Sequence, residues 1–178
     1  LLVFASGFVV AAGLLLFVVR RLIAAITFTD VGMKDRLFMW QAAWQMIQAH
    51  PVIGLGLNTF MANYLTFWVG GEQQPRYAHN CYLQTWAETG LLGLGTFLWF
   101  LGTLVVRWIR SVGRMPEGVT RTVLVGLTAA LIGFLAQAGL DTNFYTVRQA
   151  ALFWTLAGMA TGLAVQMVQQ DAHPGRAI

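Results

Sequence analysis

YAHNCYLQTWAETGLLGL, residues Tyr77 to Leu94, sets a histidine and an asparagine side by side, follows them with a glutamate, and runs straight into apolar sequence. From Gly90 to Val106 there is no charged residue. A polar cluster feeding an apolar helix long enough to reach across a bilayer reads as a site at a membrane surface. The chain around it then reads as an all-α, polytopic transmembrane protein, since helices satisfy their own backbone polar groups in lipid.

Composition supports this. The chain has 178 residues, 57% hydrophobic and 10% charged, whereas soluble domains carry about 25% charged residues. That excludes a soluble all-helical core as the simplest reading. Leu1–Val19 is uncharged, is followed by Arg20-Arg21, and has neither a charged leader nor a cleavage site. It is expected to be a truncated span of a longer protein rather than a signal peptide. The net charge of +4 is spread over connectors rather than one helical face, so it argues weakly for nucleic acid. Cys81 is the only cysteine, which rules out an intrachain disulfide and a thiolate cluster.

Working outward, residues 33–89 are expected to form an extracytoplasmic, interfacial region. Lys34–Gln48 alternates Leu37, Met39, Trp40, Ala43, Trp44, Met46 and Ile47 with polar residues at helical spacing. It is expected to be an amphipathic helix with its two tryptophans either at the interface or packed. His50-Pro51 ends it. The glycines of Gly54-Leu-Gly56 lack the context of a dinucleotide motif and point instead to close backbone packing. Asn58–Val69 is too short to span and is expected to be a re-entrant or surface-packed helix. Asn80 is a candidate N-cap for the next helix, which is expected to bend near Gly90. Spans follow at 90–108, 123–140 and 148–168, joined by a connector (109–122) and a turn (141–147), with a tail at 169–178.

Arg107, Arg110, Arg114 and Arg121 surround the connector against the single Glu117. The positive-inside rule puts that connector and the tail in the cytoplasm and His79 outside. Arg20-Arg21 would then also lie outside, against the same rule. The connector carries more charge and sets the orientation.

His79 is the candidate proton acceptor, set against a structural histidine bonded to a neighbour. Arg36 and Arg76 are candidate anion binders, because guanidinium matches phosphate bidentately; snorkelling to headgroups is the plainer alternative. Asp141 and Arg148 can line a cleft shared with His79, or act as a cap and a headgroup contact. No spacing of His, Asp or Glu fits a metal, and no cofactor motif is present.

Two stretches, DRLFMWQAAWQMIQAHPVIGLGLNTF (Asp35–Phe60) and YAHNCYLQTWAETGLLGLGTFLWF (Tyr77–Phe100), resemble the O-antigen ligase and O-antigen polymerase superfamily of bacterial envelope membrane proteins. Arg36, Trp40, His50-Pro51, Gly54, Gly56, Phe60, His79-Asn80, Leu83, Glu88 and Gly90 carry the resemblance. It implies an inverting, metal-independent glycosyltransferase of the inner membrane with its site facing the periplasm or exterior. The donor would be a glycan on undecaprenyl pyrophosphate, and the acceptor a glycan, lipid A–core or protein. His79 would activate the acceptor and Arg36 would hold the pyrophosphate. Arg76, Asn80, Glu88, Asp141 and Arg148 are the candidate substrate-binding residues. Family members usually have ten or more spans, so further helices of the same protein are expected to complete the cleft. The alternatives are a transporter or flippase for lipid-linked glycans, which calls for ionisable residues at mid-span, and a non-enzymatic scaffold of a glycan-assembly complex.

Overall fold

A computed structural model of the chain describes residues 31–71, 74 and 77–172. The expected span at 1–19, Arg20-Arg21, Arg76 and the last residues of the tail lie outside the described residues. Those described are helical: α1 (Val31–Ala49), the single turn α2 (Phe60–Asn63), α3 (Cys81–Arg114), α4 (Val119–Gln137), a 3-10 turn (Asn143–Tyr145) and α5 (Val147–Ala172).

α3, α4 and α5 form a bundle. Leu94, Leu101, Trp108 and Met115 recur every seventh residue and are buried, as are Leu124, Leu131 and Ala138. A seven-residue period keeps one seam facing its neighbours along near-parallel helices. From α5, Ala157, Ala160 and Ala164 are buried, small side chains that let backbones approach in a lipid-facing bundle. Phe100 packs on Trp154, and Trp108 Nε1–H donates to Thr161 Oγ1 at 3.0 Å, so α3 and α5 run parallel. Tyr82 O–H donates to the Leu135 carbonyl and Arg121 Nε–H to the Val112 carbonyl, so α4 runs antiparallel to α3.

Among the described residues, α3 and α4 are long and apolar enough to cross a membrane, and only 17% of the most apolar window of each is buried. The core helix of a soluble protein would bury most of such a window. Here Trp99, Leu92, Val125 and Ile132 face outward, an apolar outer surface of the kind a membrane protein presents to lipid.

A second core sits at the N-terminal end of α3. Met39, Ala42, Ala43, Met46 and Ile47 of α1 pack on Phe60, Tyr64, Ala78 and Ala87. The apolar face of α1 is therefore buried against protein. Trp40 and Trp44 flank that face; Trp44 is 47% exposed and meets the edge of Trp86. The Asn58–Val69 stretch, expected to be one helix, keeps only α2 and then turns.

Candidate active site

The site begins with a broken helix. Gly90 has φ 68 and ψ −173 in the middle of α3, a left-handed backbone that favours glycine. A break leaves carbonyls before it and N–H groups after it without helical partners. The 51–56 loop supplies both. Leu55 and Gly56 donate N–H to the carbonyls of Ala87 and Glu88 at 3.0 and 2.8 Å. Pro51 and Val52 accept from the N–H groups of Leu91 and Leu92 at 2.9 and 3.3 Å. The expected bend near Gly90 is present, and the Gly54-x-Gly56 segment is what fills it.

Glu88 locks this junction. It is 1% exposed. Its Oε2 accepts from Asn58 N–H at 2.8 Å and Tyr145 O–H at 2.9 Å. Its Oε1 accepts from Phe60 N–H and Gln84 Nε2–H, each at 3.1 Å. A carboxylate, acceptor-only with two oxygens, suits four converging donors. Burial first, and then the neighbouring Glu88, push the Tyr145 hydroxyl well above its ordinary range, against a hydrogen bond with Thr85; it remains a proton donor. Glu88 thus joins α3, the loop before α2 and the 3-10 turn, and both its oxygens are engaged inside the protein. Tyr145, 57 residues away in sequence, gives no sequence signal of this role.

Nearly three turns before the break, Asn80 caps α3 as expected, its Oδ1 accepting from the N–H groups of Tyr82 and Leu83 at 3.0 Å. Cys81 N–H donates to the carbonyls of Ala138 and Asp141 at 2.8 and 3.2 Å, tying the start of α3 to the end of α4. His79, between these anchors, has φ 48, a left-handed conformation in which histidine is enriched among non-glycine residues.

That conformation places His79 Nδ1 3.2 Å from Asp141 Oδ1, with both side chains about a third exposed, at 31% and 39%. Asp141 Oδ1 also accepts from Thr142 N–H at 2.8 Å. Burial alone would raise the Asp141 pKa; the Thr142 N–H, His79 and the nearby Arg36 outweigh it and hold the carboxyl below its ordinary 3.8. Because the carboxylate only accepts, the Nδ1 of a neutral His79 carries the hydrogen and Nε2 presents its lone pair. Arg36 reaches in from α1 and donates Nη1–H to the Leu140 carbonyl at 2.9 Å.

Arg36, His79 and Asp141 are therefore brought together from three separate segments. Asp141 stands behind the histidine, a more specific place than the shared cleft expected of it. Arg148 is exposed at the start of α5, with no hydrogen bond or ion pair among the described residues. No three His, Cys, Asp or Glu side chains gather among the described residues as a metal set requires.

The family described as O-antigen ligase matches residues 1–98, more than half of the chain. That range takes in Arg36, the Gly54-x-Gly56 loop, His79, Glu88 and Gly90. Comparison with curated proteins and with solved structures gives no match. The sequence pattern, the helical fold and the matched residues lead to one statement: the chain belongs to the O-antigen ligase family, whose work is glycan transfer.

Proposed function

We propose that this chain carries the acceptor-activating half of a metal-independent, inverting glycosyltransferase that uses a glycan on undecaprenyl pyrophosphate. The supporting observation is the His79–Asp141 pair at 3.2 Å with Arg36 on the adjoining Leu140 carbonyl. Asp141 orients the imidazole, and His79 Nε2 takes the proton of the acceptor hydroxyl as its oxygen attacks the anomeric carbon. The bond from that carbon to the pyrophosphate oxygen breaks, and undecaprenyl pyrophosphate leaves with the electron pair. A single displacement inverts the centre. Arg36 supplies positive charge where the leaving group gains negative charge, with Arg76 assisting. Arg148 binds substrate at the rim.

In this reading α3, α4 and α5 cross the inner membrane. The Arg-rich turn between α3 and α4 is cytoplasmic by the positive-inside rule, which sets His79 at the periplasmic face. The product is cell-envelope polysaccharide, either ligated to a lipid A–core or polymerised onto another lipid-linked unit. The flippase alternative gains no support from Glu88, whose carboxylate is tied by four internal donors at the end of α3.

The test is complementation of a deletion strain with the full-length protein, with envelope glycans resolved on a gel. His79→Ala and Arg36→Ala are expected to abolish product at normal membrane abundance. Normal product from both variants would overturn the assignment. Short, single-repeat glycans on the core indicate a polymerase; lipid-linked polymer accumulating beside bare core indicates a ligase.

A further inference from the structure

Arg36 stands at one end of a ridge. Trp40, Trp44 and Gln48 follow it at four-residue steps, and Gln41 and Gln45 lie beside them. Residues four apart share one face of a helix. At 1.5 Å per residue the ridge runs about 18 Å along α1 from Arg36 to Gln48. Beyond Arg36, the ridge residues Trp40, Trp44 and Gln48, with Leu37, Gln41 and Gln45, line a groove of about 440 Å³ that α1 shares with Val69 and Leu83.

The lining chemistry is specific. No charged side chain contributes to the groove among the described residues. Gln41, Gln45 and Gln48 are exposed and make no hydrogen bond among the described residues, so each offers an unengaged amide donor and acceptor. Trp44 is 47% exposed, its ring held edge-on by Trp86 at 5.8 Å.

Amides beside aromatic faces, without charge, suit a ligand that has hydroxyl groups and apolar C–H faces together. An anionic headgroup would call for a cation in the groove, and acyl chains would leave the amides unused. We propose that this groove is a subsite for the uncharged sugar units of the glycan, next to the reacting end that Arg36 and His79 hold. This rests on the glycan-transfer reading and deepens it. The helix serves the site twice: its buried face builds the core beneath His79, and its outer ridge guides the sugar chain toward it.

The experiment measures binding without turnover. The full-length protein carrying His79→Ala is placed in nanodiscs and titrated with short and long oligosaccharides released by mild acid from the host's own surface polysaccharide. The long oligosaccharide is expected to bind more tightly than the short one. Adding Trp44→Ala weakens it about tenfold, and Trp44→Tyr restores most of the loss. Gln45→Ala, on an exposed side chain whose loss leaves the core intact, weakens it about fivefold. Trp99→Ala, on the outer face of α3, binds as the parent does. Oligosaccharide binding that ignores both Trp44 and Gln45, or no binding at all, overturns the subsite. So does a Trp44→Ala defect confined to partition onto phosphatidylglycerol vesicles, which would make the ridge a lipid anchor. Failure of the transfer reading shows separately, as intact glycan products in cells carrying His79→Ala.

Discussion

Gly54 and Gly90 lie backbone against backbone: a Cβ on Gly54 would sit 2.6 Å from the amide nitrogen of Gly90. Both residues have φ +68. The loop after α1 and the break in α3 are thus one object, closed by backbone hydrogen bonds in both directions. The break ends the capped, polar first part of α3 and starts its apolar membrane part. His79 stands at the start of that polar first part, next to the Asn80 cap.

Gly54→Ala and Gly90→Ala are each expected to destabilise the protein severely. Each adds a Cβ onto backbone atoms and forces a left-handed conformation that costs a non-glycine residue about 1–3 kcal/mol by itself. Gly56→Ala should be milder, because its φ of +117 adds backbone strain but its Cβ would meet only the Thr59 side chain, at 3.2 Å. Thermal unfolding in detergent and membrane abundance check the order. A Gly90→Ala protein as stable as the parent would contradict the junction.

Glu88 is expected to behave as a tie rather than as a substrate ligand. Glu88→Gln turns an amide donor toward groups that already donate, and Glu88→Ala leaves four donors without their acceptor, at about 1–3 kcal/mol for each that water cannot reach. Both variants should lower Tm, alanine more than glutamine. Tyr145→Phe should cost about 1 kcal/mol. It should cost less when Glu88 is already changed, since the two share one hydrogen bond. Additive losses in that double-mutant cycle would show that the Tyr145–Glu88 bond does not form.

What was legible in the sequence was local. Asn80 as a cap, the bend at Gly90 and the end of α1 at His50-Pro51 follow from short-range backbone preferences. The apolar stretches of α3 and α4 follow from composition. What was not legible was pairing across the fold. Glu88 meets Tyr145, and His79 meets Asp141, over separations of 57 and 62 residues, and no periodicity carries such information. Asn58–Val69 misled because its aromatic residues resemble a helix face. In the structure Phe60 and Tyr64 are buried as plugs under α1, and packing rather than helical continuity sets the backbone there.

Asp141→Asn is expected to lower turnover by about 10²–10⁴-fold at normal abundance. The asparagine amide would donate to His79 Nδ1 and move the ring hydrogen to Nε2, leaving no lone pair for the acceptor proton. Asp141→Glu, which keeps an acceptor, should recover part of the activity. Single-turnover kinetics with saturating lipid-linked donor measure the step directly. Equal rates for Asp141→Asn and the parent would remove Asp141 from the mechanism.

The Asp141 carboxyl has its pKa held below 3.8 in the folded protein. A group whose folded pKa is depressed contributes stability that is present above its unfolded value and is lost as pH falls through the folded value. The Asp141 contribution should therefore be constant from neutral pH down to about pH 5 and disappear only below the ordinary aspartate range. With ¹³C-labelled aspartate, the Asp141 carboxyl resonance should stay flat over that upper range and titrate with a midpoint under 3.8. Any acid limb of activity between pH 8 and 5 then belongs to another group. A midpoint at or above the ordinary value would mean that Thr142, His79 and Arg36 do not offset the burial of this carboxylate, and the charge arrangement behind His79 would have to be redrawn.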